Sequence, residues 1–245
     1  MMRYKLSWSG LADSAYYKYI AQYCLPSWSM LPGEKYVVHD AADINIPDLN
    51  VVQWNGISNN DSKFMQMNPK KKTWNFWRKM QSQVWAVRNL KDCDFLILLD
   101  SDIEVFNFNQ DLFEKELSCF KESGMVWATG ESQRKGHDSG FIVFNMSHPK
   151  LKKLINHYEN IWESGEIFNL EKSYDGHAVE SMFPTFPSYK IKNIDYGRGL
   201  HIYELGLVHW GSKEPKQIRA EWKGTGRELV ESKMSEIVPK TFTEK

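Results

Sequence analysis

Cysteine is scarce in this chain. Three occur in 245 residues, Cys24, Cys93 and Cys119, with no C-x-x-C spacing. A small, odd and dispersed set excludes a disulfide framework and a thiolate zinc site, and it suits a reducing compartment. Excess charge is also missing: Lys+Arg and Asp+Glu both count 31. No global field therefore draws the chain to nucleic acid or an anionic membrane, although a local patch remains open. No apolar run approaches the roughly 18 residues of a membrane span, and MMRYKLSWSG has no apolar signal core. We expect a cytoplasmic, soluble protein with no membrane span. Internal repeats and a clear domain linker are absent too, so one large domain, with at most a small appendage, fits the length.

What is present is apolar and aromatic. Apolar residues make 42%, aromatic residues 14%, and ten of them are Trp. That is enough to build a folded core and leave flat rings for a ligand.

RYKLS (3–7) reads as a first strand ending at a Ser9-Gly10 turn, and Asp13 as the cap of a helix that Pro26 stops. The helix would carry Tyr16, Tyr19, Ile20 and Tyr23 on one face. KYVVHD (35–40) is a second strand ending on Asp40, and 41–72 is loop-like. From Thr73 to Leu90 the residues Trp77, Met80, Val84 and Val87 keep one apolar stripe, as a helix requires. DFLILL then runs unalternating, as a strand covered on both faces does. Asp111–Glu122 reads as a helix, and MVWAT and GFIVFN as strands. Ser147 and Pro149 open a helix with the stripe Leu151, Leu154, Ile155, Tyr158 and Ile161. Asp175–Phe183 is a short helix, GLVHW (206–210) a last strand, and the tail a helix around 227–237. Strands separated by helices make an α/β fold, which binds ligands at the carboxyl ends of its strands. Asp40 and Asp100-Ser101-Asp102 both fall at such ends.

The second of these carries the chemistry. In extended chain, residues i and i+2 point the same way, so Asp100 and Asp102 aim two carboxylates at one point beyond the sheet. Held close, they repel unless a cation or proton lies between them. Hard oxygen ligands favour Mg²⁺ or Mn²⁺, which in turn hold phosphates. Asp92-Cys93-Asp94 has the same spacing but precedes the strand, where it reads as a solvated turn.

D-x-D after an apolar strand resembles two enzyme classes. Haloacid-dehalogenase-like phosphatases continue D-x-D-x-[TV], and here the fifth residue is Glu104. GT-A glycosyltransferases use D-x-D to hold a metal on a nucleotide-sugar diphosphate, and more of the chain is similar to them. WNFWRKMQSQVWAVRNL leading into DFLILLDSDIEVF resembles their donor-side helix and strand. HDSGFIVFNMSHP resembles the acceptor-side segment, SYDGHAVESMF the later acidic helix start, and LVHWGSKEP the C-terminal His-aromatic-Gly-Lys-Pro region of the glycogenin-like retaining members. The resemblance runs in order over residues 3 to 216. It implies a GT-A, Rossmann-like α/β fold, with a mixed, mostly parallel sheet flanked by helices. The catalytic domain would cover 1–216 and a helical tail 217–245.

The resemblance also implies roles. Asp102 would bind Mn²⁺ (or Mg²⁺) directly, Asp100 the metal or the ribose, and His209 would be the third protein ligand. Lys213, or Lys216 in its place, would meet the phosphates beside Gly211. Ser7 and Ser9 lie where this fold holds the base, and Asp40 and Ser101 join the donor side. Lys79 and Arg78 reach for the diphosphate or ribose. Asp138 and Asp175 are the candidates for work on the sugar. The partners implied are a nucleotide-sugar donor, a UDP-sugar above others, and a hydroxyl-bearing acceptor such as a carbohydrate. The run Lys70-Lys71-Lys72-Thr73-Trp74 leaves a nucleic acid acceptor as a lesser alternative. The His209 region tilts this reading towards retaining transfer, with inverting transfer, in which a carboxylate deprotonates the acceptor hydroxyl, as the alternative. A dehalogenase-like phosphatase and a non-catalytic carbohydrate- or nucleotide-binding module stand as the other readings.

Overall fold

The computed structural model describes residues 3–12, 16–39, 45–53, 71–130, 138–191, 205–211, 213–224, 228 and 232. The side chains of 71, 72, 138, 213–215 and 220 lie outside that description. Nine strands occur in it: β1 (Leu6–Leu11), β2 (Glu34–His39), β3 (Asn50–Gln53), β4 (Phe95–Leu99), β5 (Ile103–Val105), β6 (Trp127–Gly130), β7 (Asp138–Asn145), β8 (Tyr189–Ile191) and β9 (Leu207–His209). Five α-helices of eight residues or more flank them: α1 (Lys71–Asn89), α2 (Gln110–Glu122), α3 (Leu151–Glu163), α4 (Asp175–Met182) and α5 (Lys213–Glu221). A seven-stranded sheet runs in the order β3-β2-β1-β4-β7-β6-β8, and β5 pairs with β9 in a separate ribbon. β4–β7 and β6–β7 are antiparallel and the other neighbours in the large sheet parallel, so the sheet is mixed and mostly parallel, as expected.

β4 shows why the sequence folds this way. All five of its residues are buried. Phe95, Ile97 and Leu99 face one core with Trp8, Trp28 and the α2 residues Phe113, Leu117 and Phe120. Leu96 and Leu98 face a second core, with the expected stripes of α1 and α3. Side chains alternate across a strand, so an unbroken apolar run feeds both cores. Burial at about 1.5–3 kcal/mol for each such side chain makes this strand the centre of the sheet energetically as well as geometrically.

Several local expectations shift. Ser9-Gly10 is not a turn: β1 runs through it. Gly10 is needed for close approach, because a Cβ there would lie 2.7 Å from the Trp28 ring and 2.8 Å from the Leu99 carbonyl. Pro26 does not end the first helical segment. The chain is π-helical over Tyr17–Ala21, α-helical over Gln22–Cys24 and 3-10 over Leu25–Met30, with Pro26 in the first turn of the last part. That position needs no N–H from proline. The π register also spreads the expected face: Ile20 is buried while Tyr19 is exposed. Ser147 does not cap α3; its hydroxyl donates to Asn145 Oδ1 in the turn before it. The strands β3, β5 and β8 and the helix α5 were not expected. α5 runs across the 216/217 boundary; of the expected tail helix Glu228 and Ser232 are described, both helical, while Asp13 and Asp40 lie outside the described residues. Among the described residues no helix is long and apolar enough to cross a membrane.

Candidate functional site

A cavity of about 750 Å³ opens at the carboxyl ends of β1 and β4. Because β7 is antiparallel to β4, its first residues reach the same edge, and the Asp100 N–H donates to the Gly140 carbonyl at 2.9 Å. The chain turns at once after β4, with the Ile103 N–H donating to the Asp100 carbonyl at 2.9 Å. β5 is held there by the Trp28 indole N–H on the Ile103 carbonyl at 2.8 Å, and by its own Val105 N–H on Ser27 Oγ at 2.8 Å. The ribbon with β9 sets Ile103 opposite His209, and the Trp210 N–H donates to the Asp102 carbonyl at 3.1 Å. This pairing carries the imidazole across more than a hundred residues of sequence to the aspartate pair.

The result is a three-residue cluster. Ligand atoms of Asp100, Asp102 and His209 all lie within 4.8 Å of one another. His209 Nε2 is 3.5 Å from Asp100 Oδ2 and 3.4 Å from Asp102 Oδ1. Two lysines complete it. Lys79 on α1 bridges Asp100 Oδ1 and Asp175 Oδ2, each at 2.5 Å, and donates to the Ser139 carbonyl at 3.3 Å. Lys216 on α5 donates to Asp102 Oδ2 at 3.0 Å and to the Tyr16 hydroxyl at 2.6 Å. Asp175, the first residue of α4, is 6% exposed and serves as an ion-pair partner rather than a cap, since Tyr174 takes the cap position.

The electrostatics follow from this enclosure. Burial works against charge on Asp102, but His209 and Lys216 outweigh it and hold the carboxyl well below its ordinary range. Asp100 goes the other way: burial raises its carboxyl, Lys79 opposes this, and the Asp102 charge adds to the rise. Burial also opposes the charge on Lys79, yet the Asp100 and Asp175 carboxylates keep the amine firmly protonated. Burial and the two carboxylates push the Tyr16 hydroxyl up, so it stays neutral.

The donor set suits a hard divalent cation: two carboxylates and one imidazole converge on one point. Asp102 Oδ1 is buried and has no hydrogen bond among the described residues. His209 lends its charge to Asp102 only as the imidazolium; as the neutral imidazole a cation requires, it leaves three carboxylates against two ammoniums, one negative charge, which a divalent cation would neutralise with one positive charge to spare for an anion.

Of the other expected site residues, Gly211 lines the cavity, and a Cβ there would lie 3.3 Å from His209 Nε2. Ser101 lines it too, though it is 2% exposed. Ser7 is buried in the first half of β1, and Ser9, not Ser7, reaches the cavity wall. Asp138 opens β7 and Lys213 opens α5, but their side chains lie outside the described residues, as does Asp40. Arg78 lines the cavity. Trp74 packs against the second core instead of standing free, and residues 192–204 lie outside the description. Sequence reasoning missed Arg219, and Tyr16 and Trp210 as site neighbours. The K-x-x-R spacing of Lys216 and Arg219 just after LVHWGSK was the available signal.

No protein-family model matches the chain, and no curated protein matches it in sequence. Solved structures do match its shape. One is the apo form of the glycosyltransferase GlyE from Streptococcus pneumoniae TIGR4, with a TM-score of 0.54 and 14% identity over 95% of this chain. The chain spans 63% of the length of GlyE. Another is a glycosyltransferase involved in glycosylation of the major capsid of PBCV-1, with a TM-score of 0.53, 13% identity, and coverage of 89% of this chain and 98% of that one. The architecture is the GT-A fold of such glycosyltransferases.

Proposed function

We propose that the protein is a metal-dependent glycosyltransferase that moves a sugar from a nucleoside-diphosphate donor, a UDP-sugar in our reading, to an acceptor hydroxyl. The observation that carries the proposal is the convergence of Asp100, Asp102 and His209 with two lysines in one cavity of a GT-A fold. Asp100, Asp102 and His209 would hold Mn²⁺ or Mg²⁺. Such an ion, when bound, supplies positive charge against the diphosphate that leaves.

The chain's own residues do the rest. Lys216 can turn its Nζ from Asp102 to a phosphate oxygen, adding charge where the leaving group gains it. It takes the part that the sequence assigned to Lys213 or Lys216 in alternation. Lys79 fixes Asp175 through their ion pair, so that its carboxylate can stabilise positive charge developing at the anomeric carbon, as retaining transfer requires. Asp138 would work on the sugar and Asp40 would join the donor contacts, Ser9 on the cavity wall would meet the base, and Gly211 leaves His209 room to turn. Three dispersed thiols, none in a disulfide, support a reducing, cytoplasmic setting.

The test is a panel of UDP-, GDP- and TDP-sugars with Mn²⁺ or EDTA, read as free nucleoside diphosphate. Slow, metal-dependent release from one donor, lost in Asp102→Ala, is the expected result. No release from any donor, together with a trapped phosphoenzyme, would replace this reading with the dehalogenase-type phosphatase.

A further inference from the structure

We propose that Glu104 and Arg219 form a buried latch that sets helix α5 over the cation site and thereby positions Lys216; this rests on the transferase reading above. Glu104 lies in β5, two residues beyond Asp102, and its side chain is 3% exposed; that of Arg219 is 7% exposed. One carboxylate oxygen, Glu104 Oε2, accepts both the Trp210 indole N–H and the Arg219 Nε–H, each at 3.0 Å. Arg219 Nη2 then donates to the Tyr23 carbonyl at 3.1 Å. The buried Glu104–Arg219 pair thus joins the strand after the aspartates, the residue after His209, the first helical segment and α5.

Arg219 and Lys216 are three residues apart, which puts them on one face of α5. The face that docks on Glu104 is therefore the face that sends Lys216 to Asp102. A buried ion pair is a poor way to stabilise a helix contact, because desolvation cancels most of the attraction. What directed bonds onto one oxygen supply is orientation: they fix the rotation of α5 about its axis as well as its distance. Lys216 then has two states of use. Without donor its ammonium sits on Asp102 Oδ2, beside the atoms that would bind the cation, and competes with it. With a diphosphate present the same ammonium has an anion to meet. Glu104 and Arg219 touch neither ligand; they are positioning residues.

This predicts effects of opposite sign, which a merely structural contact would not give. Loosening α5 removes a competing charge from the cation site but also removes a phosphate contact. The variants are Glu104→Gln, the double variant Glu104→Met/Arg219→Met, which leaves no buried charge alone, and Lys216→Met. Each is titrated calorimetrically with MnCl2, and then with UDP in the presence of Mn²⁺, and α5 amide exchange is followed in parallel. The double variant should bind Mn²⁺ alone about fivefold more tightly and UDP with Mn²⁺ about tenfold more weakly, with faster exchange in α5. Glu104→Gln should fall between it and the wild type. Lys216→Met should reproduce both binding changes with normal α5 exchange. Unchanged UDP affinity in the Glu104 variants, or Mn²⁺ and UDP binding that weaken together, would overturn the latch. If the double variant does not fold, Glu104→Gln and Lys216→Met decide the question alone. A wild type that binds no UDP with Mn²⁺ would instead refute the transferase reading, and the Mn²⁺-alone and exchange arms would still judge the latch.

Discussion

Replacing Lys79 by methionine removes the one cation that faces both Asp100 and Asp175 among the described residues. Methionine keeps the length and apolar stem of the side chain, so packing is nearly preserved and the change is electrostatic. Breaking a buried ion pair costs about 3–5 kcal/mol, because the abandoned charge remains desolvated. Here the Lys79 side chain is 15% exposed and that of Asp100 23%, so water relieves part of the cost. The lower end, about 3 kcal/mol, is the working figure. For a chain of this size that lowers Tm by about 6–12 °C in the metal-free protein.

The deficit should also depend on pH, with a definite sign. Burial already raises the Asp100 carboxyl, with Lys79 the chief opposing influence. Without the ammonium, burial and the Asp102 charge both push it further up. A carboxyl whose folded-state pKa is raised binds protons in the folded state before the unfolded state does, so stability increases as pH falls through that raised value. The gap between variant and wild type should therefore narrow from about pH 7 downward toward the ordinary carboxylate range. Saturating Mn²⁺ should recover more Tm in the variant than in the wild type, since a cation on Asp100 replaces part of the lost charge. Thermal melts over a pH series, with and without Mn²⁺, measure all of this. A Tm within a degree or so of the wild type, or a gap that widens on acidification, would refute the reasoning.

Gly211→Ala should weaken Mn²⁺ binding by about tenfold with little loss of fold stability, because the added methyl crowds the His209 ring from 3.3 Å; calorimetry and a thermal melt check the two halves. Gly206→Ala should be far worse for the fold, by more than about 3 kcal/mol, since Gly206 has φ +77 and its Cβ would lie 1.8 Å from the Asn107 carbonyl oxygen. Urea unfolding measures it. In the native protein a disulfide-forming thiol reagent should modify exposed Cys119 quickly and leave Cys24 untouched until unfolding; burial and then the Glu104 charge hold the Cys24 thiol up and inert.

How much of this was legible beforehand depends on the range of the determining contacts. β4, α1 and α3 were readable because each buries its own residues in a fixed period, unbroken for a strand covered twice and in stripes for the helices. The aspartate pair was readable because the strand end and the pair are adjacent. β3 and β8 were not: NVVQ and YKI are short, and β8 sits at the sheet's edge beside β6. At Gly10 the turn signal misled, because the missing Cβ serves the Trp28 ring and the Leu99 carbonyl, not a reversal of the chain. His209 was named only through the resemblance, and Arg219 was missed, for a different reason. His209 reaches Asp102 through the β5–β9 pairing, and Arg219 reaches Glu104 across 115 residues, contacts that leave no local period. Glu104 itself was visible only as a departure from the dehalogenase pattern.

The cation site can be observed directly. Crystals grown with MnCl2 and UDP, measured for the anomalous scattering of manganese, should show one strong peak bounded by Asp100, Asp102 and His209 and touching the diphosphate, absent in Asp102→Ala. Bound UDP with no manganese peak between those three residues, or a peak held elsewhere, would contradict it.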